Sequence, residues 1–246
     1  MSDAAKKTAA TPGLGTTLAS IVNGCFGDYL SQRDNGLAID MAFYRNNRPL
    51  PLTPEALREA FPAPTSKLCV LVHGLCCHEG AWDYPDNPAR SYGSALQDDL
   101  GYTPFFLRYN TGLPIPYNGT ALDALLEKLL AAYPLDVEEL VLVGHSMGGL
   151  VLRGACHFGA ERGATWVGKV KRVFYIGTPH EGAALERVGH LVNSVLHAVP
   201  HPITALLGDV AGKRSQGIKD LRHGTVLDGA AGIAAVPWLA SAQHYM

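Results

Sequence analysis

Massed charge of one sign is missing from this sequence. Lysine and arginine number 20 against 22 aspartates and glutamates, a formal net charge of -2, and the basic residues form no dense cluster. Nucleic acids and anionic membrane surfaces are held largely by concentrated positive charge, so neither is an implied partner. Long apolar runs are missing too, since no stretch reaches the roughly 20 residues that a helix needs to cross a bilayer. The opening segment MSDAAKKTAATPGLG carries basic residues without the apolar core of a secretory signal, and a cytoplasmic location is expected.

Cysteine is sparse and badly arranged for a disulfide-stapled domain. The five residues are odd in number and include no C-x-x-C pair, and Cys69 lies inside an apolar run where a small buried thiol is the ordinary reading. Cys76 and Cys77 directly follow His73-Gly74-Leu75 and read as loop packing. Metal is not indicated either. His180, His190, His197 and His201 fall within 22 residues, but none belongs to an H-E-x-x-H pattern, and Pro200 interrupts any helix between the last two. No metal or cofactor is expected.

What is present is a chemically pointed strand end in a chain of 246 residues, 47% of them hydrophobic, enough for one large α/β domain. Residues 138–159 read EELVLVGHSMGGLVLRGACHFG. The branched apolar run at 140–143 has the composition of a buried strand and stops at Gly144-His145-Ser146-Met147-Gly148-Gly149. Leu150, Val151, Leu152 and Ala155 then follow at helical spacing. Ser146 is therefore expected on a strand-to-helix turn, with Gly144 and Gly148 allowing close backbone approach. Such a turn lifts the hydroxyl above the sheet, and the helix behind it aims its free amides and positive end at the same spot.

Along the rest of the chain, residues 1–14 are expected to be disordered and 15–246 to form one domain. The apolar spacing over 15–33 predicts an amphipathic helix that packs on the body or rims a site. An early strand is expected at 37–44, a short helix opening at Thr53-Pro54-Glu55, and a strand at 67–72. A helix at 91–100, a strand at 103–109, a helix from about 118 to 133 and a strand at 170–177 follow. Residues 184–222 begin with an apolar, lid-like helical stretch. Strands alternating with helices imply a mostly parallel sheet with helices on both faces and functional groups at the carboxyl ends of its strands. The loop after strand 67–72 would supply one of two backbone donors to a developing oxyanion, which assigns the amides of Leu75 and Met147 as the oxyanion hole. His73, preceding Gly74, is expected to fix the shape of that loop.

Four motifs, VLVHGL at 70–75, LRYNTG at 107–112, GHSMGG at 144–149 and GTPHEG at 177–182, make the chain resemble the α/β-hydrolase superfamily in its lipase and esterase branch. Within that branch it is similar to bacterial hydrolases related to the GPI inositol-deacylase and triacylglycerol lipase groups. The resemblance implies an α/β-hydrolase fold and an acyl-enzyme mechanism. Ser146 attacks an ester carbonyl, a histidine takes its proton, an acid orients that histidine, and Leu75 and Met147 stabilise the oxyanion.

The order nucleophile, acid, histidine leaves Asp209, Asp220 and Asp228 as in-chain acids and His244 as the base. His180 precedes them all and makes a poor triad histidine. Asp228 follows Thr225-Val226-Leu227 and precedes Gly229, as suits an acid at a strand end. Yet only 15 residues separate it from His244, too few for the customary helix and strand. The chain is accordingly expected to stop before the family's catalytic acid and histidine, leaving the sheet incomplete at its C-terminal edge. The expected activity is hydrolysis of a small acyl or lipid-like ester. A catalytically impaired relative that binds an acyl ligand or a partner, and an acyltransferase using the same turn, stay open at this stage.

Overall fold

The apolar runs of the sequence form the middle of a six-stranded sheet in a computed structural model that describes residues 14–32, 38–182, 215–223 and 226. In chain order the first elements are α1 (Leu14–Gln32), β1 (Ala42–Arg45), β2 (Arg48–Pro49), α2 (Pro54–Ala60), β3 (Lys67–Val72), β4 (Asp83–Tyr84) and β5 (Asn87–Ser91). They are followed by α3 (Tyr92–Leu100), β6 (Thr103–Arg108), α4 (Ile115–Ala132), β7 (Glu139–His145), α5 (Met147–Glu161), β8 (Val170–Ile176) and α6 (Gln216–His223). The strand order is β2-β1-β6-β3-β7-β8, with β6, β3, β7 and β8 parallel and the β1–β2 hairpin antiparallel at one edge.

Continuous apolar composition is what a strand covered on both faces requires, and β3 shows why. Leu68, Val70 and Val72 enter one core with Leu140 and Leu142, against Leu122 and Leu126 of α4 and Leu150 and Val151 of α5. The alternate residues Cys69 and Leu71 enter a second core with Trp82, Val141 and Val143, against Leu96 of α3. Helices thus cover both faces. The two on the first face cross closely, because a Cβ on Gly119 of α4 would stand 3.0 Å from the carbonyl carbon of Gly154 of α5. Asp123 of α4 anchors the far end of α5 by accepting from Arg162 Nε at 2.6 Å and from the buried Trp166 Nε1 at 2.8 Å.

Several bounds differ from the sequence expectation for identifiable reasons. The early strand starts at Ala42, and its chain reverses at Asn46 and Asn47, whose φ angles of 51° and 59° are the left-handed pair of a tight hairpin. The ribbon of β4 and β5 was not anticipated. Helix α4 begins three residues before 118, at Ile115. Helix α6, the described part of the lid-like 184–222 segment, packs inward with Ile218 and Leu221 buried. Its neighbour Ser215 donates to the Gly24 carbonyl of α1 at 2.7 Å. The stretches 1–13, 183–214 and 227–246 lie outside the described residues, and with them the remaining lid residues, His190, His197, His201, Asp209, Asp228 and His244.

Candidate functional site

Strand β7 ends at His145 and α5 begins at Met147, so a single residue, Ser146, makes the bend between them. It sits at φ 52° and ψ -123°, a sparsely populated conformation for a residue with a side chain, of the kind that costs about 1–3 kcal/mol. Its own N–H donates to the Ile176 carbonyl of β8 at 2.8 Å, and its carbonyl accepts from Gly149 at 3.1 Å. The hydroxyl makes no cap hydrogen bond to α5, unlike the ordinary serine at a helix start. Gly144 and Gly148 are where the sequence placed a need for close approach. A Cβ on Gly144 would stand 2.6 Å from Gly149 Cα, and one on Gly148 would stand 2.3 and 2.4 Å from the carbonyl oxygens of Val72 and His73.

The loop after β3 lies directly against this bend, since a Cβ on Gly74 would be 3.1 Å from Ser146 Cβ. Leu75 and Met147 are buried residues, at 1% and 0% exposure, and the N–H of each takes no backbone acceptor among the described residues. Met147 is the first residue of α5, where amides lack intrahelical partners and the helix dipole is positive.

His73 supports this loop from beneath. Its ring stacks on Tyr109 at 4.7 Å, its Nδ1–H donates to the Gly74 carbonyl at 2.9 Å, and the Tyr109 hydroxyl donates to the His73 carbonyl at 2.9 Å. Burial pushes its pKa down from 6.5 to about 3, with the Gly74 hydrogen bond pulling the other way and nearby His78, Arg108 and His145 adding repulsion. The ring stays neutral in the folded state and takes a proton on unfolding. Its folded pKa lies below the unfolded one, so its stabilising contribution is complete above pH 6.5 and is lost as pH falls toward about 3. Stability should therefore decline through this window with a contribution of up to about 1.4 kcal/mol per pH unit from this residue. Thermal melts from pH 7 to pH 4 test it: His73→Gln should flatten the decline, and an unchanged slope would contradict the assignment.

Other candidate groups are committed elsewhere. His180 Nδ1 accepts from Arg153 of α5 at 2.8 Å, and burial followed by the Arg153 charge keeps its pKa below the usual value. Cys77 is half-buried, and burial raises its thiol pKa away from the reactive thiolate. Among the described residues no group of three or more His, Cys, Asp and Glu could hold a metal ion, and no helix is long and apolar enough to cross a membrane.

Asp220, one of the acids proposed from chain order, caps a helix. Its Oδ2 accepts from Ile115 N–H at 2.9 Å and its Oδ1 from Gln216 Nε2 at 2.8 Å, which places its carboxylate at the start of α4. Pro114, the residue that opens this helix, provides no side-chain cap. Asp220→Ala should lower stability by about 1–2 kcal/mol, a melting shift of roughly 2–8 °C. A capping role leaves the catalytic rate of the folded variant within about twofold of wild type, whereas loss of a triad acid costs on the order of 10⁴. Steady-state rates beside the melt separate the two roles.

Tyr109 and Thr111, from the LRYNTG motif, reach the loop after β3, a role that sequence reasoning missed. Their only signal was the motif itself. Tyr109 holds the His73 carbonyl, and Thr111 Oγ1 accepts from the N–H of Cys76 at 3.1 Å.

Residues 119–231 match a family described as PGAP1-like alpha/beta domain, a stretch that opens within α4 and contains the Ser146 bend. Among solved structures, a lipase-esterase related protein from Clostridium acetobutylicum is similar at 12% identity with a TM-score of 0.37; the match covers 66% of this chain and 65% of that one. No curated protein matches the sequence.

Proposed function

We propose that the chain is an α/β hydrolase of the lipase and esterase type and that it cleaves carboxylic esters through an acyl-enzyme on Ser146. Ser146 Oγ forms a bond to the ester carbonyl carbon as its proton passes to a base, and the carbonyl electron pair moves onto oxygen. The N–H groups of Leu75 and Met147 receive that oxyanion. Its collapse breaks the bond to the alcohol, which leaves with the proton, and water then repeats the sequence on the acyl-enzyme to release the acid. His244 as base and Asp228 as its orienting acid are the in-chain candidates from the sequence.

The observation that carries this reading is the strained serine whose hydroxyl caps nothing. Strain of this kind persists only where the surrounding structure over-determines it, and a bend needed merely for turning would be served better by glycine. The N–H groups of Leu75 and Met147, from a loop and a helix start, take no backbone acceptor among the described residues, which supports their reading as the donors that acyl transfer requires. The test is labelling by a fluorophosphonate together with a burst of p-nitrophenol from p-nitrophenyl butyrate, both lost in Ser146→Ala. A wild-type protein that neither labels nor releases p-nitrophenol would overturn the reading.

A further inference from the structure

The LRYNTG motif, residues 107–112, takes no part in the chemistry above, yet it grips the loop that carries Leu75. Thr111 is buried, and its Oγ1 accepts from the N–H of Cys76 at 3.1 Å. Cys76 directly follows Leu75 and holds φ at 60°, a left-handed conformation that a residue with a side chain adopts rarely. Helix α1 closes the same spot from the other side. A Cβ on Gly24 would stand 2.3 Å from Cys76 Sγ and 3.0 Å from Thr111 Oγ1, so only glycine lets the helix come this near. The neighbouring Asn110 ties α1 to the motif by donating from Nδ2 to the Gly27 carbonyl at 3.0 Å, while its Oδ1 accepts from Gly112 at 3.0 Å.

These contacts converge on one peptide. The N–H of Cys76 belongs to the peptide that joins it to Leu75, so fixing that group fixes the plane next to the proposed oxyanion donor. The same peptide lies inside the turn closed by the Cys77 N–H on the Gly74 carbonyl at 3.3 Å, and losing the Thr111 hydroxyl removes one of the contacts that hold this turn. A shift of that turn moves the 75–76 peptide and with it the N–H of Leu75, the proposed oxyanion donor. Catalytic donors tolerate little displacement, since an error near 1 Å can cost on the order of 100-fold in rate.

We infer that Thr111 is a positioning residue for the oxyanion loop, acting through the backbone of Cys76 on the N–H of Leu75. The inference rests on the reading of Ser146 as nucleophile and Leu75 as oxyanion donor. It is tested with p-nitrophenyl butyrate on wild type, Thr111→Val and Thr111→Ser, with kcat expressed per site titrated by a fluorophosphonate so that unfolded molecules do not count. T111V keeps the shape and loses the hydroxyl; T111S keeps the hydroxyl and loses a methyl. The expected result is a kcat at least about tenfold lower in T111V with KM within about twofold, and T111S within about twofold of wild type in both.

A purely structural role would reverse that order, because valine fills the space and serine does not. Should T111V fail to fold, Thr111→Ala carries the same expectation with less crowding. An active wild type with T111V equal to it, or T111S worse than T111V, overturns the role of Thr111 and leaves Ser146 standing. A wild type that neither labels nor hydrolyses overturns both.

Discussion

Ser146→Gly should yield a protein more stable than wild type and without esterase activity. Ser146 is held at φ 52° and ψ -123°, where a Cβ costs about 1–3 kcal/mol and glycine nearly none. Against this, glycine loses about 0.5–1 kcal/mol more conformational entropy on folding. The balance is a gain of about 1 kcal/mol, or a melting temperature higher by roughly 2–4 °C for a domain of this size. Ser146→Ala retains the Cβ and the strain, so its melting temperature should match wild type. In both variants kcat should fall, on the order of 10⁶-fold where the serine works with an acid and a histidine, as when the nucleophile of a serine hydrolase is removed. The proposed oxyanion donors and binding would preserve a remnant of about 10³–10⁴ over the uncatalysed rate. Calorimetry and p-nitrophenyl ester kinetics on the three proteins decide the matter. A glycine variant less stable than wild type would mean that the bend is not strained by the serine, removing the observation on which the functional reading stands.

Where the sequence was informative, one element carried its own signature. The continuous apolar runs of β3 and β7 identify strands buried on two faces, and both faces are indeed covered. The glycines around Ser146 could be read because the elbow's demands are local, between positions two apart. Features built by distant residues were not legible in the same way. Helix α4 starts at Ile115 because a carboxylate 105 residues later caps it, and no periodicity in 115–132 reveals that partner. Asp220 itself looked like a candidate acid for the same reason: its role lies in a contact, not in its neighbours. The hairpin at Asn46-Asn47 was missed because two asparagines can adopt φ > 0 without the glycine that usually advertises such a turn. The hydroxyl of Thr111 is likewise silent in sequence, since its partner Cys76 is 35 residues earlier.

Gly148→Ala is the substitution expected to damage the molecule most. In an open helix, alanine in place of glycine stabilises by about 1 kcal/mol, so propensity alone predicts improvement. Here the added methyl would meet the carbonyl oxygens of Val72 and His73 at 2.3 and 2.4 Å, and both belong to main chain. Val72 is paired beside Gly144 in the β3–β7 ladder, and His73 is fixed by Tyr109, so neither oxygen can retreat as a flexible side chain would. Relief must come from α5 lifting off the end of β3. That movement carries the Met147 N–H and Ser146 away from the loop of Leu75, spreading the proposed oxyanion pair as it opens the core. The expected cost is about 3 kcal/mol, the upper part of the range for overpacking, with a melting temperature lower by roughly 6–12 °C. The loss of kcat in the fraction that remains folded should be on the order of 100-fold. Gly168→Ala is the control, because a Cβ there has nothing within 4 Å and should leave both measurements near wild type. If Gly148→Ala melts with wild type and hydrolyses esters at the same rate, then α5 is not seated against the end of β3, and the geometry assigned to the Ser146 bend fails with it.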